Sequence, residues 1–190
     1  MMATDALTTR YEKLFDAFDA FDAFDAFDAD NDGTVESADF QRVSERVIES
    51  YHIPASDRRA EAVKIAYNTF EVALMSQIDG GRLLSKDQFV TALRATVNDS
   101  IRLDVIEALP QALFGIADST RDDELDRGRF RHLVQAVGGA DGSTAQETFT
   151  QIDTDGDDTI SRQEFIGSVR EFLTNPDAQA AVGGIVLGVK

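Results

Sequence analysis

The twelve residues DADNDGTVESAD, Asp28–Asp39, decide how this chain folds. Asp28, Asp30 and Asp32 alternate, Gly33 follows, Val35 comes two later, and an acid closes the segment eleven residues after the first. A hard divalent cation such as Ca²⁺ needs six to eight oxygens at about 2.3–2.6 Å, gathered around a sharp bend. Alternate carboxylates supply the first three as the chain curls, and glycine tolerates the positive φ of the bend. The Thr34 carbonyl gives another oxygen, and Glu36 coordinates directly or through water. Asp39, carried on the first turn of a following helix, closes the far side. Val35 points away, free to pair with a neighbouring loop in a short β bridge.

Working outward, Phe40 comes directly after the loop, five residues beyond Val35. The same offset recurs at Leu84/Phe89, Leu125/Phe130 and Ile160/Phe165. Apolar residues then follow each Phe at helical spacing: Val43, Val47 and Ile48; Leu93 and Val97; Leu133, Val134 and Val137; Val169, Phe172 and Leu173. Such spacing puts one apolar stripe on each helix. Amphipathic segments precede the turns at about 5–27, 57–77, 101–117 and 144–152, with Pro110 expected to kink or split the third. The chain therefore reads as all-α, a helix-loop-helix unit repeated four times. The turn-rich connections HIPASD (52–57), NDS (98–100) and GGADGS (138–143) group the units in pairs. The expectation is two packed lobes, 1–98 and 99–190, with Val35 facing Leu84 and Leu125 facing Ile160 in short β bridges.

The residue pattern resembles that of the EF hand. A second match is DTDGDDTISRQE, Asp153–Glu164. Asp153, Asp155 and Asp157 stand as its first three ligands, Thr159 gives its carbonyl, Ser161 holds a water, and Glu164 can chelate with both oxygens. Each loop departs from the family pattern once. Asp39 stands where Glu is usual; its shorter side chain favours one-oxygen ligation, weakening Ca²⁺ and inviting Mg²⁺ competition. Asp158 stands where Gly is usual at the bend, and Asp enters the left-handed region at modest cost.

The other two loops read as silent. QIDGGRLLSKDQ, Gln77–Gln88, has its acids badly placed. DSTRDDELDRGR, Asp118–Arg129, carries Asp118, Asp122 and Asp126 but ends in arginine where the chelating Glu belongs. That guanidinium opposes metal entry and can pair with Asp118 or Asp122; a plain solvated loop is the alternative. Upstream, five Phe-Asp-Ala copies place acids three apart, so Asp16, Asp19, Asp22 and Asp25 cannot extend the ligand ladder. A three-residue period drifts by roughly 60° per copy on an α-helix. Some of Phe15, Phe18 and Phe21 then face away from their own lobe. Tolerated tandem duplication explains them, with a protein partner or self-association as the competing reading.

Composition bounds the function. The net charge of −17 opposes nucleic acid and anionic membranes. No cysteine is present, which excludes thiolate chemistry and sulfur-ligated zinc. The two histidines, His52 and His132, lie in unrelated units with no nucleophile–base pairing, so an enzyme is not expected. The opening MMATDALTTR has no apolar signal core, and VGGIVLGV is too short to span a bilayer, so a cytoplasmic protein is expected. Arginine outnumbers lysine 14 to 4, a bias that suits a GC-rich bacterial genome. The chain is most similar to the sarcoplasmic calcium-binding protein/calerythrin class. That resemblance implies an intracellular Ca²⁺ buffer or signal modulator holding two ions. The alternative is a calmodulin-type sensor that exposes an apolar surface to a protein partner, against which stand only three methionines and a short lobe connection.

Overall fold

A computed structural model of the chain describes residues 32–78, 83–98, 100–138 and 142–174. Asp28, Asp30, the Phe-Asp-Ala repeat with Phe15, Phe18 and Phe21, and the apolar tail lie outside them. The described residues contain seven helices: α1 (Ser37–Ser50), α2 (Arg58–Met75), α3 (Lys86–Asn98), α4 (Ser100–Ala117), α5 (Arg127–Gly138), α6 (Gly142–Ile152) and α7 (Arg162–Thr174). Four two-residue strands separate them: β1 (Val35–Glu36), β2 (Leu83–Leu84), β3 (Glu124–Leu125) and β4 (Ile160–Ser161). The fold is all-α, with the strands serving only as bridges.

Those bridges set the pairing. β1 runs antiparallel to β2 with Val35 opposite Leu84, and β3 to β4 with Leu125 opposite Ile160. All four residues are fully buried, so each pair of loops is pinned by apolar contact as well as by hydrogen bonds. The four phenylalanines that follow, Phe40, Phe89, Phe130 and Phe165, are buried as well. Phe40 meets Phe70 edge-on, while Phe130 meets Phe149 and Phe165 meets Phe114 at centroid distances of 5.7 and 5.6 Å. Each such pair joins the exiting helix of one unit to the entering helix of its partner. Aromatic pairs of this geometry contribute about 0.5–1.5 kcal/mol beyond area burial.

Pro110 does not split its helix; α4 continues through it from Ser100 to Ala117. One backbone bond is lost at about 3 kcal/mol. Burial of Leu109, Leu113, Phe114 and Ile116 against α2 and α7 offsets that loss.

The two pairs of units touch extensively. α2 packs along α4, and the end of α1 packs against α5. Arg46 donates to the Val137 carbonyl at 2.9 Å, near the α5 C-terminus where a cation is favoured. His132 of α5 lies 3.1 Å from the Ser50 carbonyl and edge-on to Tyr51 at 4.6 Å, which gives this histidine a structural place. Across the second pair, Arg170 of α7 forks onto the buried Glu107 of α4 at 2.5 and 2.7 Å. No described helix is long and apolar enough to cross a membrane.

Candidate metal centre

The loop at 153–164 is described throughout. Among the described residues, Asp153, Asp155 and Glu164 form a group whose carboxylate oxygens lie within 4.8 Å of one another. The backbone builds this cradle. Asp153 Oδ1 accepts from the Gly156 amide at 2.8 Å and the Asp157 amide at 3.2 Å, and its Oδ2 accepts from the Asp158 amide at 3.2 Å. Two residues take the left-handed conformation that curls the chain, Gly156 at φ 74° and Asp158 at φ 67°. Aspartate at the bend is thus accommodated, as its short polar side chain allows.

Glu164 closes the loop from the first turn of α7. Its Oε1 accepts from the Thr154 amide and hydroxyl at 2.9 and 2.7 Å, and its Oε2 from the Ser161 amide and hydroxyl at 2.9 and 2.8 Å. Burial pushes its pKa up, but these donors outweigh burial and hold it down at about 2. The closing carboxylate is therefore ionised throughout the physiological range. Asp157 is outside the close group; its Oδ1 accepts from the Thr159 amide and hydroxyl at 2.8 and 2.7 Å.

In the first loop the structure places Asp32, Thr34, Glu36 and Asp39. Gly33 takes φ 81° at the bend, where a side chain would be strained. Asp32 Oδ1 accepts from the Thr34 amide and hydroxyl at 2.8 and 2.7 Å, the same contact that Asp157 makes with Thr159. The Thr34 hydroxyl, then its amide, lower the Asp32 pKa. Asp39 is fully buried, accepting the Glu36 amide on Oδ2 at 2.9 Å and facing Arg42 on Oδ1 at 3.2 Å. Its bond to the ninth residue of the loop matches Glu164 to Ser161. The second Glu164 oxygen reaches across the loop to Thr154, and Arg42 of the same helix lies against the second Asp39 oxygen.

The third loop keeps the shape and lacks the closing acid. Arg121 and Asp123 take φ 60° and 62°, at the loop positions that Gly156 and Asp158 occupy in the fourth. Arg129 pairs with Asp122 at 3.2 Å and Asp118 at 3.6 Å, as its charge implies. It also contacts Asp126 at 3.0 Å and the Thr120 hydroxyl at 2.5 Å, which sequence reasoning missed. A second omission lies between loops. Arg127 reaches Asp158 and Arg162 reaches Asp123, each at 2.7 Å, and each guanidinium stacks on a phenylalanine, Phe149 at 4.3 Å and Phe114 at 4.5 Å. Arginine at the tenth position of both loops, with aspartate at the sixth of both, was the available signal.

The family model for the EF hand matches residues 21–44 and 145–167, the two segments that contain the acidic loops at 28–39 and 153–164. These two segments of the chain are EF-hand motifs. It is similar to calerythrin of Saccharopolyspora erythraea, with 24% identity over 176 residues, covering 90% of this chain and 94% of calerythrin. In structure it resembles a Streptomyces coelicolor calcium-binding protein, with a TM-score of 0.69 at 21% identity, covering 86% of this chain and 98% of that one. Calcium-loaded apo-aequorin from Aequorea victoria also has a TM-score of 0.69, at 15% identity, covering 92% and 93%.

Proposed function

We propose that this EF-hand protein binds two Ca²⁺ ions, one in each of the loops 28–39 and 153–164, and works as an intracellular calcium buffer or signal modulator. The observation that carries the reading is the convergence of Asp153, Asp155 and Glu164 within 4.8 Å in a loop already curled by its own amides. Its side-chain donors are all oxygen, as a hard cation requires. Asp157, the Thr159 carbonyl and a water on Ser161 complete that set. In the first loop Asp28, Asp30, Asp32, Thr34, Glu36 and Asp39 would hold the ion, with Mg²⁺ competing because Asp39 is short. Residues 1–98 and 99–190 form the two lobes of this reading. The match to calerythrin supports it, as does the Streptomyces protein, whose structure was described as a basis for calcium-mediated regulation.

The α2–α4 and α1–α5 contacts favour the buffer or modulator over a sensor whose separate lobes wrap a target helix. Titration calorimetry on the purified chain tests the proposal. Two Ca²⁺ equivalents are expected, falling to about one in Glu164→Ala, which removes the bidentate ligand. No binding, or a stoichiometry indifferent to Glu164, would overturn it. A large calcium-dependent rise in apolar dye binding would move the function to the sensor class.

A further inference from the structure

We propose that the third loop is an EF-hand loop loaded with its own cation, the Arg129 guanidinium, and that units three and four keep their paired-loop geometry without calcium. Arg129 contacts the side chains at the first, third, fifth and ninth positions of its loop: Asp118 at 3.6 Å, Thr120 at 2.5 Å, Asp122 at 3.2 Å and Asp126 at 3.0 Å. These are the positions that face the ion in a metal-binding loop. Loops one, two and four close alike, with the twelfth side chain accepting the ninth amide: Asp39 from Glu36, Gln88 from Ser85, and Glu164 from Ser161. In loop three the polarity is reversed. The Arg129 amide and Nε both donate to Asp126.

Charge and burial explain why the loop holds together. Asp118 is buried to 4% exposure and takes amides from Arg121, Asp122 and Asp123 at 2.8, 3.3 and 3.1 Å. A buried carboxylate needs a cation nearby, or its desolvation opens the structure. Arg129 supplies one, and Arg162 approaches the other Asp118 oxygen at 3.9 Å. Because Arg129 is tethered, its local concentration does not depend on that of any free ion. Loop three therefore holds β3 against β4, the strand of loop four, before any metal arrives. Loop four then has less ordering left to lose when its ligand binds. That second consequence rests on the proposed function; the first does not.

Amide hydrogen exchange followed by NMR in EDTA tests the first directly. In the wild type, the Arg121, Asp122 and Asp123 amides are expected to be protected, and Arg129→Gln should speed their exchange by about tenfold or more. Random-coil exchange in the wild type, or unchanged protection in Arg129→Gln, would overturn the proposal whether or not loop four binds calcium. The wild-type measurement stands even if the variant fails to fold. Arg129→Glu provides the second arm. It restores an acceptor at the twelfth position and should bind one Ca²⁺ more than wild type, whereas an unchanged count would refute the claim that this loop is an EF-hand cradle.

Discussion

Arg127 and Asp158 sit 2.7 Å apart as one half of a reciprocal exchange between the third and fourth loops, Arg162 and Asp123 being the other half. Each arginine is tenth in its own loop, and each aspartate is sixth in the partner loop, at a positive φ that glycine usually takes. The side chain that strains the bend is also the anchor for the other loop. Each guanidinium, moreover, covers the phenylalanine four residues ahead of the partner loop. An approximate two-fold axis relates the contacts, which is why neither loop can be described alone.

Arg127→Ala should therefore destabilise the protein by about 1–2 kcal/mol. Cation–π loss contributes roughly 0.5–1 kcal/mol. The ion pair, being largely exposed, adds no more than about 1 kcal/mol. Arg162→Ala should cost a similar amount by the same pairing. Scanning calorimetry in EDTA reads both. A variant melting with the wild type would mean that the exchange is ornamental.

Asp39→Glu should tighten calcium at the first loop and weaken magnesium competition there. One Asp39 oxygen is held by the Glu36 amide and the other faces Arg42 along the helix. The added methylene lets the second oxygen reach across the loop, as Glu164 Oε1 does toward Thr154. Two-oxygen ligation raises the coordination number, which calcium accepts and magnesium resists. Calcium titrations with and without excess Mg²⁺ would show this, and an unaltered ratio of the two affinities would count against it.

Legibility in the sequence followed the range of each interaction. The 3.6-residue stripe after each phenylalanine marked the exiting helices, and the fixed five-residue offset gave the register of Val35 on Leu84 and Leu125 on Ile160. The fourth loop could be read because its acidic side chains are close in sequence and are set by local amides. The split allowed for at Pro110 does not occur because its cost is local, whereas the burial that offsets it comes from α2 and α7. The exchange between Arg127 and Asp158 joins residues 31 apart, and no single-loop pattern reports it. Arg129 was visible as an obstacle to metal; its four contacts across the loop depend on a fold that sequence spacing alone does not fix.

Arg170→Ala should cost more than Glu107→Gln. Glu107 is buried, with its carboxylate gripped at both oxygens by Arg170, itself more than half exposed. Removing the arginine strands a buried charge, which makes it the larger loss of the two. Replacing the glutamate by glutamine neutralises the buried member and leaves the arginine able to reach solvent, at about 1 kcal/mol. Urea denaturation of the two variants should separate them in that order, and the reverse order would locate the charge burden on the wrong partner.

Asp57 gives the pH dependence a defined source. It caps α2 by accepting the Arg59 amide at 2.8 Å and also holds the Arg59 side chain, at 2.9 and 3.1 Å. The Arg59 side-chain bonds, with the amide after them, lower its pKa to about 2. A folded pKa below the unfolded one means that the ionised cap stabilises the native state above about pH 4, and that this contribution fades as pH falls toward 2. Asp57→Asn keeps an acceptor at the cap but carries no charge, so it loses the ion pair at every pH. The gap in melting temperature between wild type and Asp57→Asn should accordingly be widest near neutrality, narrow as pH falls from about 4 to 2, and close only below that. Melts recorded across the range would test this, and a gap that stayed constant down to pH 2 would show that the charge on Asp57 contributes nothing to α2.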